Sequence, residues 1–166
     1  MRAGLYTGRF QPFHLGHLSA VRQALSEVDK LYIAIGSTQY SHEGYNPFTA
    51  EERAAMVRMA LEENGLTDKC EIFMVPDIHD DDKWTAHVRK IVPPFEAVFV
   101  GNNGLVKELF EAEGKAEVIQ VRHKVPVSAT KVRCAILRGL DWERHVTPKV
   151  AEHIKKIDGI ERIRQL

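Results

Sequence analysis

The chain of 166 residues is 44% hydrophobic and 28% charged, a length and balance that fit one globular domain with its own core. Lysine plus arginine numbers 23, as does aspartate plus glutamate, and this zero net charge argues against a dedicated nucleic-acid-binding protein. No apolar run reaches membrane-spanning length, and no signal-peptide core is found. The two cysteines, Cys70 and Cys134, have the spacing of neither a zinc site nor a disulfide scaffold. Together with the absence of long apolar runs, this leads us to expect a cytoplasmic protein with reduced thiols and no membrane partner.

Five short apolar segments have the character of strands. They are GLYTG (4–8), KLYIAIGS (30–37), CEIFMVP (70–76), EAVFVG (96–101) and AEVIQVR (116–122). Near-continuous apolar runs such as KLYIAIGS are typical of strands that are buried on both faces. We therefore expect these strands to lie inside the protein, covered by helices on either side.

Segments of helical periodicity separate these strands. They are predicted at 18–28, at 49–64, from about 84 to 92, and at 104–114, 128–139 and 147–157. Thr49 and Glu52 have the spacing of a capping box, which opens the second helix. Pro93 closes the third helix, and Thr147 followed by Pro148 is typical of the start of the last one.

The alternation of strands and helices predicts the fold class. Repeated βαβ units form mostly parallel sheets, so we expect an α/β, doubly wound, five-stranded parallel sheet. We expect a single domain with a sheet core at about 1–140 and a helical C-terminal tail at about 141–166. Ligands of such folds bind at the carboxyl ends of the strands, near the switch point in strand order. The loops that follow the strands are therefore the places to search for a site.

The loop after the first strand, TGRFQPFHLGH, is rich in groups that bind phosphate. Gly8 allows close approach of a ligand to the backbone, and Gly16 lies at a predicted helix start. A helix N-terminus offers free N–H groups and the positive end of a dipole. His14 and His17 flank that terminus and Arg9 is near, a combination suited to stabilising phosphate oxygens.

A second loop, VSATKVR, has related features after the fifth strand. Ser128 and Thr130 lie at a predicted helix start, and Arg133 follows on the first turn. Hydroxyls, N–H groups and a guanidinium form an anion site. Two helix N-termini at one edge of the sheet predict a polyphosphate held from two sides.

These motifs resemble those of a known family. GRFQPFHLGH and SATKVR are similar to the two signatures of the HxGH nucleotidylyltransferases. The longer series resembles the archaeal nicotinamide-nucleotide adenylyltransferases, and it runs from about residue 3 to the C-terminus as GRFQPFH, IGSTQYSH, NPFTAEER, DIHDDDKW, PPFEAVFVGNNGLVKELF and GIERIRQL. As a set, in this order, the motifs are highly specific.

The resemblance implies a reaction and a set of site residues. The reaction is adenylyl transfer from ATP to nicotinamide mononucleotide, which gives NAD and pyrophosphate. The catalytic residues implied are His14, His17 and Arg133. The ATP-binding residues implied are Gly8, Arg9, Phe10, Gln11, Gly16, Gly101, Asn102, Ser128 and Thr130. The residues implied for the nicotinamide nucleotide are Gly36, Ser37, Asp77, Ile78, Asp81 and Trp84.

The chemistry of this reaction suits those residue types. The attacking phosphate monoester has a second pKa of about 6, so it is largely a dianion at neutral pH and needs no general base. Catalysis then consists of positioning two anions and neutralising the leaving pyrophosphate. We expect Mg²⁺ to be held mainly by ATP oxygens and water, so no protein metal ligand is assigned. The resemblance also implies a homo-oligomer, with a hexamer as the expected state.

Two positions depart from the family pattern. Tyr45 stands where the family often has arginine, which puts one phosphate contact in question, and Asp81 stands where it often has asparagine. Structural roles also compete with functional ones. Trp84 suits the core as well as base stacking, and Phe10 and Phe13 suit a core beneath the loop. The acidic run 79–82 suits a solvated loop better than a metal cluster.

Other functions stay open at this level. One is transfer of an adenylyl or cytidylyl group to a different phosphate acceptor, such as FMN or phosphopantetheine, although DIHDDDKW argues against it. Another is a non-catalytic nucleotide sensor, although His17 and Arg133 are retained. A third is a metal-dependent phosphohydrolase that uses HLGH, which would need more metal ligands at the same strand ends.

Overall fold

The computed structural model describes residues 1–166 and has a five-stranded parallel sheet at its centre. The strands are β1 (Ala3–Gly8), β2 (Lys30–Gly36), β3 (Cys70–Val75), β4 (Ala97–Val100) and β5 (Glu117–Gln120). Their order across the sheet is β3-β2-β1-β4-β5, and every neighbouring pair is parallel. The predicted doubly wound, five-stranded α/β fold is therefore confirmed.

Seven helices cover the sheet. They are α1 (Leu15–Leu25), α2 (Ala50–Glu63), α3 (Asp81–Ile91), α4 (Gly104–Glu113), α5 (Ala129–Leu137), α6 (Pro148–Lys156) and α7 (Gly159–Gln165). Single 3₁₀ turns lie at Thr67–Lys69 and Glu143–His145. None of the helices is both long and apolar enough to cross a bilayer.

The two faces of the sheet bury separate clusters of side chains. Alternate residues of β2 point to opposite faces, so Ile33 joins the larger cluster and Tyr32 the smaller one. Helices α1, α2, α5, α6 and α7 pack on the larger cluster, and α3 and α4 on the smaller. Because Val150, Ile154 and Ile163 of the C-terminal helices belong to the larger cluster, the tail is packed into the main core.

Strand β1 lies at the switch point of the sheet. Its neighbours are β2 on one side and β4 on the other, and the chain winds outward from β1 in both directions. The loops that follow β1 and β4 therefore run in opposite directions from the carboxyl edge of the sheet. Sheets of this kind have a ligand-binding crevice between two such loops.

The bounds of α1 and α3 differ from the predictions, and α7 was not predicted as a separate helix. Helix α3 begins at Asp81 and not near Trp84, because Asp80 is its N-cap and accepts a hydrogen bond from the Asp82 N–H. The predicted acidic loop is therefore partly the first turn of a helix. At the C-terminus, Asp158 adopts a left-handed conformation with φ 56° and separates α6 from α7.

The predicted capping box of α2 is confirmed and carries an additional bond. The Thr49 hydroxyl accepts from the Glu52 N–H, and the Glu52 carboxylate accepts from the Thr49 N–H. Arg162 of α7 then binds both oxygens of the same carboxylate, at 2.6 and 3.0 Å. The first turn of α2 is thus braced by the last helix.

The start of α6 is held from another element. Thr147 occupies the N-cap position as predicted, but its hydroxyl caps no N–H of its own helix and donates to Glu63 at 2.8 Å. The same Glu63 oxygen accepts the Lys149 N–H at 3.1 Å. A carboxylate at the end of α2 therefore caps α6, where the positive end of the helix dipole favours it.

Candidate active site

Three adjoining cavities lie along the carboxyl ends of the strands. The central cavity, of about 730 Å³, is lined by the loops after β1, β2 and β4 and by the start of α5. The β5-side cavity, of about 220 Å³, shares His17 and Gly101 with it. The β3-side cavity, of about 260 Å³, shares Asp77 and Trp84 with it. The three cavities form one continuous groove across the switch point.

The structure brings the predicted site residues together in this groove. All of them except Thr130 line at least one of the three cavities. Thr130 is exposed on the first turn of α5. Tyr45, one of the two departures from the family pattern, is 71% exposed and lines none of these cavities. The contacts of these residues with ligands stay predictions.

His14 and His17 form a reciprocal cap at the start of α1. His14 is the N-cap, and its Nδ1 accepts from the N–H groups of Gly16 at 3.0 Å and His17 at 3.3 Å. In return, the Nδ1 of His17 accepts from the His14 N–H at 3.1 Å. The two rings are stacked with their centroids 3.6 Å apart. Both imidazoles are therefore fixed in position by the backbone beside them.

This geometry fixes the protonation state of both rings. A nitrogen that accepts a hydrogen bond carries no proton, so each neutral ring holds its proton on Nε2, which has no protein partner. Burial and the nearby His145 and His123 lower the pKa of His14 to about 4. Burial and the neighbouring His14 lower the pKa of His17 well below its usual value. The pair thus offers two neutral N–H donors at neutral pH.

The two helix N-termini differ in the donors that they leave free. At α1 the N–H groups of Gly16 and His17 are already bound by His14, so the free backbone donors expected there are largely occupied. At α5 the Ser128 hydroxyl accepts only the Lys131 N–H. The N–H groups of residues 129 and 130 bind no protein acceptor, so α5 retains the anion-binding terminus.

Arg133 connects α5 to the loop after β1. Its side chain is buried, with Nη1 donating to the Gln11 carbonyl at 2.8 Å and Nη2 to the Thr130 hydroxyl at 3.4 Å. Burial, and after it the positive charge of Arg9, lowers the pKa of the Arg133 guanidinium. The remaining N–H donors of this guanidinium have no protein partner, and the residue lines the central cavity.

The loop after β1 divides its side chains between the core and the cavity. Phe10 and Phe13 are buried, as predicted for a core beneath the loop. Gln11 was predicted to lie along the nucleotide, but its amide is bound on both sides to the backbone of Phe48. Among residues 9–13, only Arg9 is exposed to solvent.

The loops after β2 and β3 are joined by polar contacts. The Ser37 hydroxyl donates to the Asp77 carboxylate at 2.8 Å. The Gln39 amide binds both the N–H and the carbonyl of Asp77, and the Tyr40 hydroxyl lies 2.8 Å from Nε2 of His79. These bonds give the central and β3-side cavities a common, fixed wall.

Trp84 and Asp81 lie together at the first turn of α3. The Trp84 ring packs edge-on against Phe110, 5.7 Å away, and also lines two cavities, so its stacking on a base stays a prediction. Asp81 lines the β3-side cavity together with Ile78 but is exposed to solvent. The Asp81 carboxylate is therefore in contact with water.

Glycines and an asparagine shape the β5-side cavity. A Cβ atom at Gly16 would lie 2.8 Å from the His14 ring, so only glycine leaves that ring in place. Gly101 and Asn102 follow β4, and the Asn102 side chain lies 2.6 Å from Nε2 of His123. His123 thus links the loops after β4 and β5.

Arg53 is the residue of the site region that the sequence did not single out. Its side chain is fully buried in α2, and it donates to the carbonyls of Thr49, Arg9, Gly36, Ser37 and Tyr40. It therefore ties the loop after β1 to the loop after β2. Its only sequence signal is an arginine within a helix that is otherwise apolar on the same face.

The fold and the groove define the class of this protein. A doubly wound parallel sheet with donor-rich helix starts at its switch point is the architecture of nucleotide-binding α/β proteins. A family model described as "Cytidylyltransferase-like" matches residues 5–157. The solved structure of a bifunctional NMN adenylyltransferase/ADP ribose pyrophosphatase from Francisella tularensis, complexed with AMP and a manganese ion, superimposes with a TM-score of 0.82 at 26% identity. The match covers 99% of this chain but only 52% of that protein.

Full-length relatives narrow the family. The Pyrococcus furiosus nicotinamide-nucleotide adenylyltransferase is 44% identical over 169 residues, which cover all of this chain and 89% of the relative. The Archaeoglobus fulgidus protein of the same name is also 44% identical, over 100% of this chain and 97% of its own length. The chain belongs to the cytidylyltransferase-like family and, within it, to the nicotinamide-nucleotide adenylyltransferases.

Proposed function

We propose that this protein transfers the adenylyl group of ATP to nicotinamide mononucleotide, giving NAD and pyrophosphate. One observation carries the proposal: the Nε2–H groups of His14 and His17, the guanidinium of Arg133 and the free N–H groups of α5 converge on a groove that continues to Trp84. The full-length relatives named for this reaction support it.

The transfer is a direct in-line displacement. An oxygen of the acceptor phosphate attacks the α-phosphorus of ATP, and the bond from that phosphorus to the bridging oxygen breaks as pyrophosphate leaves. The acceptor phosphate has a second pKa of about 6 and is already a nucleophile at neutral pH. Neither histidine therefore acts as a base, which agrees with the low pKa of His14 and His17.

The donors of the groove are suited to the triphosphate of ATP. The neutral histidines donate from Nε2 to oxygens of the reacting phosphate, with His17 at the α-phosphate. Arg133, Ser128 and Thr130 with the start of α5 hold the β- and γ-phosphates, which become the leaving group. Fixed donors of this kind stabilise developing charge without reorganising during the reaction.

The opposite end of the groove is suited to the acceptor. Trp84 stacks on the cationic nicotinamide ring. Asp77 and Ser37 lie on the adjoining wall, 2.8 Å apart, where they orient the nucleoside. Gly101 and Asn102 line both the central and the β5-side cavity and flank the adenosine.

A divalent cation fits this site if the nucleotide itself supplies most of the ligands. No three histidine, cysteine or carboxylate side chains lie close enough together to hold a metal ion. Mg²⁺ keeps several waters and binds substrate phosphates readily. We therefore propose Mg²⁺ bound to ATP, where it neutralises charge on the leaving pyrophosphate.

Direct assay tests the proposed function. The protein is mixed with ATP, Mg²⁺ and nicotinamide mononucleotide, and NAD is measured by a dehydrogenase that reduces it. Parallel reactions replace the acceptor by FMN or phosphopantetheine, and pyrophosphate release is followed in each. NAD formation that depends on all three components is expected. Release of pyrophosphate with another acceptor alone, or ATP binding without any turnover, would overturn the proposal.

We also propose that the protein is a homo-oligomer, with a hexamer as the expected state. The family resemblance supports this assembly. Light scattering coupled to gel filtration gives the mass of the assembly, and a monomer at micromolar concentration would contradict the proposal.

A further inference from the structure

The guanidinium of Arg53 is the most completely bound cation of the protein. Nε donates to the Thr49 carbonyl, Nη1 to those of Arg9 and Gly36, and Nη2 to those of Ser37 and Tyr40. A guanidinium has five N–H donors, so this set uses all of them. Every acceptor is a backbone carbonyl; three of the five belong to the loops that follow β1 and β2, and Gly36 is the last residue of β2.

No carboxylate forms an ion pair with this buried charge, although Glu51, Asp77 and Glu52 lie near enough to raise its pKa. Arg53 takes part in no ion pair, although its side chain is fully buried. Burial, with the nearby positive charge of Arg9, lowers the pKa of the guanidinium to about 10, so it remains charged at neutral pH. A buried charge without a counter-ion is costly unless dipoles or a bound anion compensate it.

The bound carbonyls also orient the opposite sides of their peptide units. The peptides that link Arg9 to Phe10, Gly36 to Ser37 and Ser37 to Thr38 are trans, so each N–H points away from its carbonyl and hence away from Arg53. The N–H groups of Phe10, Ser37 and Thr38 bind no acceptor within the protein. Phe10 and Ser37 line the central cavity, whereas Thr38 does not.

We propose that Arg53 is a positioning residue for the phosphate of the acceptor nucleotide, an inference that rests on the proposed function. It fixes the two loops so that the N–H groups of Phe10 and Ser37 meet that phosphate. The anion then supplies a negative charge close to a guanidinium that forms no ion pair within the protein. Arg53 itself touches no ligand, because it lies behind the backbone that lines the cavity.

The test compares two ligands that differ only in the phosphate. Nicotinamide mononucleotide and its nucleoside, nicotinamide riboside, are titrated by calorimetry into the parent and the variants Arg53→Lys and Arg53→Gln. Arg162→Lys is the matched control, because it weakens the bond that braces the same helix and changes no residue of the cavity. Steady-state NAD formation by the parent is measured in parallel.

We expect the Arg53 variants to lose affinity for the mononucleotide but not for the riboside. The Arg53 variants should bind the mononucleotide about tenfold or more weakly, the loss of one hydrogen bond to a charged group. Their affinity for the riboside should stay within about twofold of the parent, and Arg162→Lys should change neither affinity. Equal weakening of both ligands, or no weakening, overturns the role of Arg53. If the Arg53 proposal fails in this way but the parent still forms NAD, the proposed function remains supported and only the role of Arg53 is rejected.

A second measurement needs no variant. Amide resonances of Phe10, Ser37 and Thr38 are followed in the parent during titration with each ligand. The mononucleotide should shift the Phe10 and Ser37 amide protons downfield, as hydrogen bonding to an anion does, and the riboside should not. Equal responses to both ligands would show that these N–H groups do not meet the phosphate. A parent that binds no mononucleotide would overturn both proposals.

Discussion

His14 and His17 each accept a backbone N–H of the other through Nδ1, while their rings lie stacked with centroids 3.6 Å apart. The arrangement gives one pair of residues two tasks. It completes the N-terminus of α1, and it leaves each Nε2–H as a fixed donor. The capping and the donation use different atoms of the same ring, so substitutions can separate them.

Substitution of His17 should lower turnover far more than ATP affinity. His17→Ala should reduce kcat by about 10²–10³-fold, the usual loss for one transition-state donor. His17→Asn retains an oxygen near the position of Nδ1, which can accept the His14 N–H, but has no group at the position of Nε2. It should keep most of the helix stability and lose turnover like the alanine variant. Near-normal turnover in either variant would remove His17 from the mechanism.

The stability of the protein should fall on acidification because of His14. Its pKa is about 4 in the folded protein against 6.5 ordinarily, so the unfolded chain takes up the proton first as the pH falls. Stability from this residue is therefore complete above about pH 6.5 and is lost progressively toward pH 4, by about 3 kcal/mol. Urea unfolding across this range measures the loss.

The control for this pH dependence is His14→Asn. Asparagine caps helices well and does not titrate, so its curve should be flatter than that of the parent over the same range. Carboxylates contribute equally to both proteins and cancel in the comparison. Parallel curves for parent and variant would show that His14 is not the titrating group.

Arg133→Lys should impair the use of ATP. The guanidinium binds the Gln11 carbonyl and the Thr130 hydroxyl and still has donors for phosphate, whereas an ammonium cannot reproduce that fork. We expect kcat/KM for ATP to fall by about 1.5–3 kcal/mol in free-energy terms. Arg138→Lys, at an exposed arginine that ends the same helix, is the control and should be neutral. Equal ATP titrations for parent and Arg133→Lys would contradict the second anion site.

Selectivity for the acceptor should depend in part on Asp81. Nicotinate mononucleotide replaces the neutral amide of the nicotinamide by a carboxylate, which Asp81 in the β3-side cavity repels. We expect the parent to prefer nicotinamide mononucleotide by about tenfold or more in kcat/KM, about 1.4 kcal/mol. Because Asp81 is exposed, water screens part of this repulsion, so Asp81→Asn should narrow the preference without abolishing it.

The neighbouring carboxylate provides the control for selectivity. Asp82 is exposed on the same helical turn and lines none of the three cavities. Asp82→Asn removes the same charge and should leave the ratio of the two acceptors unchanged. If the parent used both acceptors equally, there would be no selectivity for Asp81 to explain. If Asp81→Asn and Asp82→Asn changed the ratio of the two acceptors equally, the selectivity would come from the overall negative charge and not from Asp81.

The fold could be predicted because its signals are local. Apolar runs mark all five strands, and the Thr49 capping box marks the start of α2. The errors arose where the determinant is a single backbone angle or a polar cap. Asp158, in the left-handed region, breaks the C-terminal tail into two helices, and Asp80 starts α3 before its first apolar residue. Neither effect has a periodic pattern.

The sequence could predict which residues line the groove but not the contacts that hold them in place. His14 and His17 follow a strand within a recognisable motif, but imidazoles are not among the usual capping groups, so their reciprocal cap was not foreseen. Gln11 binds Phe48, which lies 37 residues away in sequence. Arg53 likewise reaches carbonyls of two separate loops. Such contacts depend on the tertiary fold and leave no trace in local spacing.

The contact between Arg162 and Glu52 has a consequence for biosynthesis. Glu52 caps α2, the helix that carries Arg53, and its carboxylate accepts hydrogen bonds from Arg162, 110 positions later in the chain. A ribosome that has made the whole sheet has therefore not yet supplied the brace of α2. The ion pair between Arg162 and Glu52 therefore forms only after residue 162 has left the exit tunnel, so the start of α2 gains this contact late, after all five strands have been synthesised.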